Sequence, residues 1–236
     1  MDVSRELRAT VEIHWLLGTP DGFLSLKTIS CLGPSVVQGS WNNELFLKSS
    51  PGHHPKALLK NQYATARNKY RPTEVNVLLV AESPPSSGGY FYAEKAIGKD
   101  HLFRETMKAL GLWPVDRPMR KGCDKRPMLE QFRSLGFFLI DACELPVDKM
   151  PPGQRRVSTA EGALTLPSKV KELDPGRIVI VKKTVFNPVR QALVMAGFED
   201  RILNKKSLPF PSHGNQRKFR RMLKRLVGQN RPLILE

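Results

Sequence analysis

Val75–Ala81 (VNVLLVA) predicts a buried β-strand, and two later runs have the same character: Phe137–Ile140 (FFLI) and Ile178–Val181 (IVIV). The runs are continuous, apolar and rich in β-branched residues, without the alternation of polar and apolar positions that marks a half-exposed strand. Strands that are apolar on both sides are typical of parallel sheets, in which helices cover both faces. The sequence therefore predicts three short, parallel, buried strands.

Helical patterns separate these strands. Asp100 can cap a helix that Gly111 ends, and Asn187 with Pro188 can open another that stops at Gly197. The apolar face of the first helix is formed by Leu102, Phe103, Met107 and Leu110. The alternation of strands and helices predicts an α/β fold, a three-layer α/β/α sandwich around a short, mainly parallel sheet.

A basic amphipathic helix is predicted from residue 217 onward. Its apolar stripe has the helical spacing i, i+3, i+4, i+7 and consists of Phe219, Met222, Leu223 and Leu226. Residues 201–236 hold ten basic residues and one acid, a net +9 of the total charge of +16. A solvated helix face normally mixes both signs, so this excess predicts a phosphate-binding surface. A second basic cluster is predicted to line the same track: Arg117, Arg120, Lys121, Lys125 and Arg126.

Composition narrows the class of protein. With 236 residues, 40% of them hydrophobic, the chain predicts one structural domain, in which an elaboration over residues 1–70 packs on an α/β domain over residues 71–236. The charge of +16 predicts a polyanionic partner. No apolar run reaches the roughly 18 residues that cross a bilayer, and the first residues lack the pattern of a signal peptide. We expect a cytoplasmic monomer with no membrane partner.

The three cysteines, Cys31, Cys123 and Cys143, are far apart in the sequence. They form neither a CxxC pair nor a Cys/His cluster, so the usual zinc and iron–sulfur motifs are absent from the sequence. They are predicted to be reduced thiols, and no metal or cofactor is expected.

Polar residues follow each predicted strand. Ligands of an open parallel sheet bind beyond the carboxyl ends of its strands, where this chain places Glu82, Asp141 and the pair Lys182/Lys183. After Glu82 the chain continues as SPPSSGG and then YFY, a turn rich in proline and glycine followed by three aromatic rings. Two carboxylates are thus predicted at adjacent strand ends, beside aromatic rings, in a chain built to hold a polyanion.

Three segments, in order, resemble motifs of the uracil-DNA glycosylase superfamily, and the likeness spans roughly residues 74–227. VLLVAESPP (77–85) resembles the first motif, a hydrophobic strand that leads into a short G-x-x-P-[G/Y] turn. FFLIDACELP (137–146) is similar to the middle strand, and LPFPSHGNQRKF (208–219) resembles the His-Pro-Ser loop and its helix. The chain departs from these motifs at Ala81, Ser83 and Phe210, and it lacks the cysteines of the iron–sulfur branches.

The resemblance implies a monofunctional, metal-free DNA glycosylase, which flips a base out of DNA and hydrolyses its N-glycosidic bond with water to leave an abasic site. Two substrate classes are open: uracil or another deaminated base in DNA repair, and a bulky modified cytosine of foreign DNA in antiviral defence. Breaking this bond develops positive charge on the sugar and negative charge on the base. The site therefore needs a carboxylate near C1′ and hydrogen-bond donors near the base.

Four residues are the candidate catalytic groups. Glu82 is the first choice for the carboxylate, while Asp141 is either the alternative carboxylate or the reader of the base edge. His213 is the candidate donor to the departing base, and Ser83 contributes its hydroxyl or backbone. The candidate base-binding rings are Tyr90, Phe91, Tyr92 and Phe210. Three adjacent rings cannot all face one core in an extended segment, so at least one of the first three is expected to be free for stacking.

DNA is predicted to contact the serine-glycine turn and the start of the basic helix, where backbone N–H groups attract phosphate. The predicted DNA-binding residues are Ser86, Ser87, Gly88, Ser212, Asn215, Gln216, Arg217, Lys218, Arg220 and Arg221. Gly88 and Gly89 supply few bulky walls, which leaves room for a large modified base.

A non-catalytic nucleic-acid-binding module is the alternative, with Glu82 and Asp141 as structural residues. A nucleotide hydrolase is disfavoured because the sequence has no GxxxxGK[ST] loop. The placement of Glu82, Asp141 and His213 separates enzyme from binding module. An enzyme needs them around one cavity, whereas a binding module needs only a continuous basic face.

Overall fold

The computed structural model describes residues 17–18, 24–25 and 54–228, and the chain divides into two compact units, Met1–Ser49 and Ser50–Glu236. In the first unit the described strands β1 (Leu17–Gly18) and β2 (Leu24–Ser25) pair antiparallel. The predicted packing of residues 1–70 on the core falls largely outside the described residues.

The other described elements belong to the second unit. Its helices are α1 (His54–Asn68), α2 (His101–Ala109), α3 (Arg126–Ser134), α4 (Pro152–Leu173), α5 (Lys183–Met195) and α6 (Gln216–Gly228), with a short 3₁₀ helix at Glu199–Arg201. Its strands are β3 (Val77–Ala81), β4 (Phe137–Asp141) and β5 (Arg177–Ile180).

The sheet of this unit is parallel, with β3 in the centre, β4 on one side and β5 on the other. Single bridges from Ile178 to Ile202 and from Val181 to Leu208 continue it beyond β5. Every residue of β3 is buried, so both faces of the central strand are covered. The three predicted parallel strands are confirmed to within two residues at their ends, and the fold is a mixed α/β fold.

Two helices follow the predicted pattern. Helix α2 begins directly after Asp100, and Gly111, with φ of +78°, ends it in the left-handed conformation that glycine adopts without strain. The Asp100 carboxylate does not cap α2, because it accepts hydrogen bonds from the N–H groups of Ile97 (2.7 Å) and Gly98 (3.1 Å) instead. Helix α6 packs its predicted apolar stripe on the core: Phe219, Met222, Leu223 and Leu226.

The predicted start of the second helix at Asn187 and Pro188 is wrong. Helix α5 begins one turn earlier, at Lys183, and Pro188 lies inside it. A proline there removes one backbone hydrogen bond, but the earlier turn buries Val185 and Phe186 in the same core as the rest of the helix. The burial of these two side chains outweighs the lost bond.

Three helices were not predicted: α1, α3 and α4. Helix α4 begins at Pro152, directly after Pro151, in a stretch whose prolines are also typical of a loop. Proline is favourable in the first turn of a helix, where its missing N–H would have no partner. The same residues therefore mark a helix start as well as a loop.

The second predicted basic cluster does not form one surface. Lys125 is fully buried, and its ammonium group donates to the backbone oxygen of Tyr90 (2.9 Å) and to Asp100 (3.2 Å). Burial lowers the pKa of Lys125 to about 8. Its inclusion in a DNA-binding track was wrong, because a buried cation paired with a buried carboxylate holds loops together rather than binding phosphate.

None of the described helices is both long enough and apolar enough to span a lipid bilayer. Cys123 and Cys143 are free thiols, whereas Cys31 lies outside the described residues.

Candidate functional site

The parallel register brings the two predicted carboxylates together at one end of the sheet. Ala81 pairs with Asp141, and the N–H of Cys143 donates to the backbone oxygen of Glu82 (2.8 Å), which continues the ladder beyond the strands. Successive side chains of a strand point to opposite faces. Asp141 therefore shares a face with Ala81, while Glu82 points to the other face.

A cavity of about 90 Å³ lies on the Asp141 side. Predicted site residues form much of its wall: Ser83, Tyr90, Phe91, Asp141 and Phe210. Gly89 lines it as well, and so do Lys99 and His101, which were not predicted. The cavity thus collects residues from the ends of β3 and β4, from the start of α2 and from the loop before α6.

Asp141 is a buried polar residue in the wall of this cavity, and it also lines a cavity of about 200 Å³ together with Arg67 and Lys169. It is only 4% exposed, and its Oδ2 atom has no hydrogen-bond partner among the described residues. Burial raises the pKa of Asp141 from 3.8 to about 7; nearby Arg67 opposes the rise and Glu82 adds to it. Buried polar atoms are nearly always hydrogen-bonded in proteins, so an oxygen without a partner is a candidate contact for a ligand or a water.

Asp141→Asn is expected to make the protein more stable than the wild type at high pH. Between the ordinary pKa of 3.8 and about 7, the folded protein keeps a proton on Asp141 that the unfolded chain releases. The unfolding free energy of the wild type should therefore fall by roughly 2 to 3 kcal/mol between about pH 5 and about pH 8 on account of this group. Urea unfolding of both proteins across this range measures the difference; a difference that does not change with pH would contradict the buried carboxyl.

Glu82 occupies a different environment. Oε1 accepts from Nε of Arg155 (2.9 Å) and from Oγ1 of Thr184 (2.7 Å), and Oε2 accepts from Arg155 and Lys182. Burial raises the pKa of Glu82, but these hydrogen bonds outweigh burial and hold the pKa below its ordinary value. A carboxylate has about four lone-pair positions. All of them are used here, so none remains to bind a water.

Lys182 links the Glu82 network to the cavity. Its ammonium group pairs with Glu82 and lies 5.2 Å from the ring centre of Phe210, which lines the cavity. The backbone of Lys182 has φ of +83°, a conformation that non-glycine residues adopt only when their surroundings hold them there. Glu82 is therefore placed to position a wall of the cavity, and it is not among the described residues that line it.

His101, which the sequence did not single out, lines the cavity. Nη2 of Arg104 lies 3.2 Å from Nδ1 of His101. Because a guanidinium group only donates, Nδ1 accepts, and the neutral ring carries its proton on Nε2. Burial, together with Arg104, lowers the pKa of His101 below its ordinary value, so the ring is neutral at neutral pH. The Nε2–H group of a neutral ring is a hydrogen-bond donor.

His213, the predicted donor, lies outside the cavity wall. It is exposed, has φ of +50°, and its Nδ1 lies 2.8 Å from the hydroxyl oxygen of Ser212. Its charge helps to lower the pKa of His101, so the two rings are neighbours. The structure therefore brings His213 to the edge of the site, while His101 is the ring that lines it.

The three adjacent rings are all buried, so the prediction that one would be free is wrong in that form. Tyr90 and Phe91 nevertheless line the cavity with their buried rings. Tyr92 does not: its hydroxyl donates to the backbone oxygen of Leu139 (3.1 Å) and accepts from the N–H of the same residue (2.7 Å). Tyr92 is a core residue that fixes β4.

The serine-glycine turn lies at the surface. Ser86, Ser87 and Gly88 are exposed, and Asp148 accepts hydrogen bonds from the hydroxyl (2.8 Å) and the N–H (3.1 Å) of Ser86. Gly88 has φ of +81°, so its backbone requires glycine. The carboxylate of Asp148 disfavours a phosphate at Ser86, which leaves Ser87 and Gly88 as the accessible part of this turn.

The loop over residues 208–215 joins the cavity to α6. Phe210 lines the cavity. Five residues later, directly before α6 begins with Gln216, the side chain of Asn215 donates to the backbone oxygen of Ser212 (3.2 Å). A fixed loop of this kind sets the distance between the cavity and the first turn of the basic helix.

Helix α6 carries an exposed basic face, defined here as Arg217, Lys218, Arg221, Lys224 and Arg225. At 3.6 residues per turn these side chains cover an arc of about 120°, opposite the apolar stripe. None of the five forms an ion pair with a described residue. Arg220 differs, because it pairs with the buried Glu105 of α2 and helps to hold the two helices together.

No protein-family model matches the chain, and neither does any curated protein. Within residues 54–228, no three His, Cys, Asp or Glu side chains come close enough together to hold a metal ion. Function must therefore be inferred from the geometry of the cavity and of the basic face beside it.

Proposed function

We propose that the protein is a DNA glycosylase that flips a base into the cavity beside Asp141 and hydrolyses its N-glycosidic bond. The observation that carries this proposal is that Asp141 lines a small aromatic cavity at the carboxyl end of the sheet and that its buried Oδ2 has no hydrogen-bond partner among the described residues. The loop from Phe210 leads directly from that cavity to the α6 basic face. The α/β/α sandwich of the uracil-DNA glycosylase superfamily is the arrangement that we propose for the whole domain.

The cavity has the chemistry of a base pocket. Phe91 and Phe210 supply apolar faces for a planar ring, and Asp141 supplies a hydrogen-bonding edge at depth. Flipped bases are held in this way, by stacking and by hydrogen bonds to the Watson–Crick edge. With its pKa of about 7, Asp141 offers either an acceptor or, when protonated, a donor and an acceptor.

The size of the cavity favours a small base. About 90 Å³ is well below the range of roughly 300 Å³ and above that is typical of sites for larger ligands. A side chain at Gly89 would approach Ile97 to 3.1 Å, so this wall is already close-packed. Between the two substrate classes, we therefore propose a single-ring base such as uracil rather than a bulky modified cytosine.

His101 is the proposed donor in the bond-breaking step. The bond from C1′ to the base nitrogen breaks with its electron pair going to the base, and Nε2–H of His101 stabilises the anion by a hydrogen bond. Water then forms a bond to C1′ and loses a proton, and the base leaves the site protonated. Ser83, which lines the cavity, is the proposed hydrogen-bonding partner of that water.

The α6 basic face is the proposed contact with DNA phosphates. Replacing Arg217, Arg221 and Arg225 together by Ser is expected to reduce the slope of log affinity against log salt concentration by about 2 to 3, since each phosphate contact contributes about 0.9. Fluorescence anisotropy with labelled DNA at several salt concentrations measures the slope.

A matched control removes three exposed charges that lie outside the proposed DNA contacts: Lys56, Arg133 and Lys171, each replaced by Ser. This variant should keep the wild-type slope. If the two triple variants had equal slopes of log affinity against log salt concentration, the α6 basic face would not be part of the DNA interface.

The proposal is tested by incubation with single-stranded and duplex oligonucleotides that carry uracil, hypoxanthine or modified cytosines, followed by cleavage of abasic sites in alkali. We expect strand cleavage at a small deaminated base. One observation favours the alternative, a non-catalytic nucleic-acid-binding module. Glu82, one of the two predicted catalytic acids, has its carboxylate oxygens fully hydrogen-bonded within the protein. Tight binding without abasic sites on any base would establish that alternative.

A further inference from the structure

A second groove, of about 340 Å³, lies on the loop that follows α2. Its wall consists of Trp113, Arg117, Pro118, Arg120 and Cys123. This volume lies within the range of sites for small ligands, so the groove can take a single nucleotide. The groove shares no lining residue with the cavity beside Asp141.

The groove contains a preformed stacking plane. The guanidinium carbon of Arg117 lies 4.7 Å from the ring centre of Trp113, and the indole N–H of Trp113 donates to the backbone oxygen of Arg117 (3.0 Å). Arg117 is therefore held against Trp113 at two places, its guanidinium group over the face of the indole ring and its backbone oxygen at the ring's edge. Nucleobases stack on arginine planes as well as on aromatic rings, and the Arg117 side chain is exposed.

The charge around this plane suits a phosphate backbone. Arg117, Arg120 and Lys121 are exposed, and none of them forms an ion pair with a described residue. Of the two acids in the loop, Asp124 already pairs with Arg126. The groove thus combines a stacking plane with uncompensated cations, as sites for single-stranded nucleic acid do.

Backbone hydrogen bonds tie the groove to the rim of the cavity. The N–H of Gly122 donates to the backbone oxygen of Ala96 (2.8 Å), and the N–H of Ala96 donates to the backbone oxygen of Cys123 (2.9 Å). The segment that begins at Ala96 leads directly to Lys99 and His101, which line the cavity. The groove and the rim of the cavity are therefore connected through one short segment, residues 96–101.

We propose that this groove binds an unpaired nucleotide next to the flipped one, with its base stacked on Arg117 and its phosphate at Arg120 and Lys121. The proposal rests on the proposed function, in that the same strand occupies both sites. A base within a duplex is stacked between its neighbours and cannot cover Arg117. The protein should therefore bind single-stranded or locally opened DNA more tightly than intact duplex DNA.

Binding of undamaged single-stranded and duplex oligonucleotides, measured by fluorescence anisotropy, tests this inference. Arg117→Lys keeps the charge and removes the planar group. Loss of a stacked base costs between about fivefold and 150-fold in affinity, so we expect a loss of roughly tenfold on the single strand, no change on the duplex and an unchanged salt slope. Arg133→Lys on α3, an exposed arginine outside the cavity, the groove and the α6 basic face, is the matched control and should change neither affinity.

A loss of less than twofold on the single strand, or an equal loss on the duplex, would overturn the inference. Because Arg117→Lys leaves Trp113 in place, a folding defect is avoided, and circular dichroism checks this directly. The DNA in this experiment contains no base to excise. Failure of the stacking groove is therefore distinguishable from failure of the proposed glycosylase activity.

Discussion

Replacing Asp141 by Leu is expected to lower the rate of base excision by about a hundredfold to a thousandfold, the effect of removing a hydrogen-bonding group from a reaction centre. Leu has the same branching as Asp, although its methyl groups are bulkier than carboxylate oxygens, and it offers no hydrogen bond to a base. DNA affinity should persist because the α6 basic face is untouched. Single-turnover kinetics on the preferred base, with affinity measured separately, give the two quantities.

Asp141→Asn is the paired control, since the amide reproduces the donor and acceptor of the protonated carboxyl group. It should retain excision to within about tenfold of the wild type if Asp141 reads the base edge. Full activity of Asp141→Leu would show that the base does not occupy this cavity. Loss of activity in both variants would instead assign to Asp141 the charge that stabilises the sugar cation.

Glu82→Ala is expected to reduce the free energy of unfolding by about 3 to 5 kcal/mol, as is typical when one partner of a buried ion pair is removed. The change leaves Arg155 and Lys182, both with largely covered side chains, without their carboxylate. Urea denaturation measures the loss. Glu144→Ala is the matched control: Glu144 also pairs with two lysines, but all three side chains are about a third exposed or more, so we expect a loss of about 1 kcal/mol or less.

Glu82→Gln separates the structural role from a catalytic one. The Gln variant should keep excision per folded molecule to within about tenfold, below the loss typical of a catalytic group. A variant that is as stable as the wild type but fails to excise would restore Glu82 as the catalytic carboxylate, the first choice from the sequence.

The strands could be predicted because their signal is local. Val77–Val80 are apolar on both sides, and a short run of this kind has few alternatives to a buried strand. Helix boundaries could be predicted less well. Whether Pro188 starts a helix or lies within it depends on the burial of Val185 and Phe186, and that burial is set by the tertiary structure.

The site was predictable where it follows from the strands. Asp141 and Ser83 line the cavity because parallel strands end at one edge of the sheet, and Phe210 could be included from its place in the third motif. The role of Glu82 was not predictable, since its partner Arg155 lies 73 residues away in α4, a helix that was not predicted. His101 had a local signal, as it directly follows the predicted cap residue Asp100 at the start of α2.

Hydrolysis in ¹⁸O-labelled water, with mass spectrometry of both products, distinguishes a glycosylase from the other possibilities. We expect an unlabelled free base and an abasic strand that carries one ¹⁸O at C1′, because water attacks the sugar. An ¹⁸O label in the base would show that water attacks the base rather than the sugar. If the strand stays intact whichever base it carries, the protein binds nucleic acid without cleaving it. Either result would contradict a glycosylase site beside Asp141.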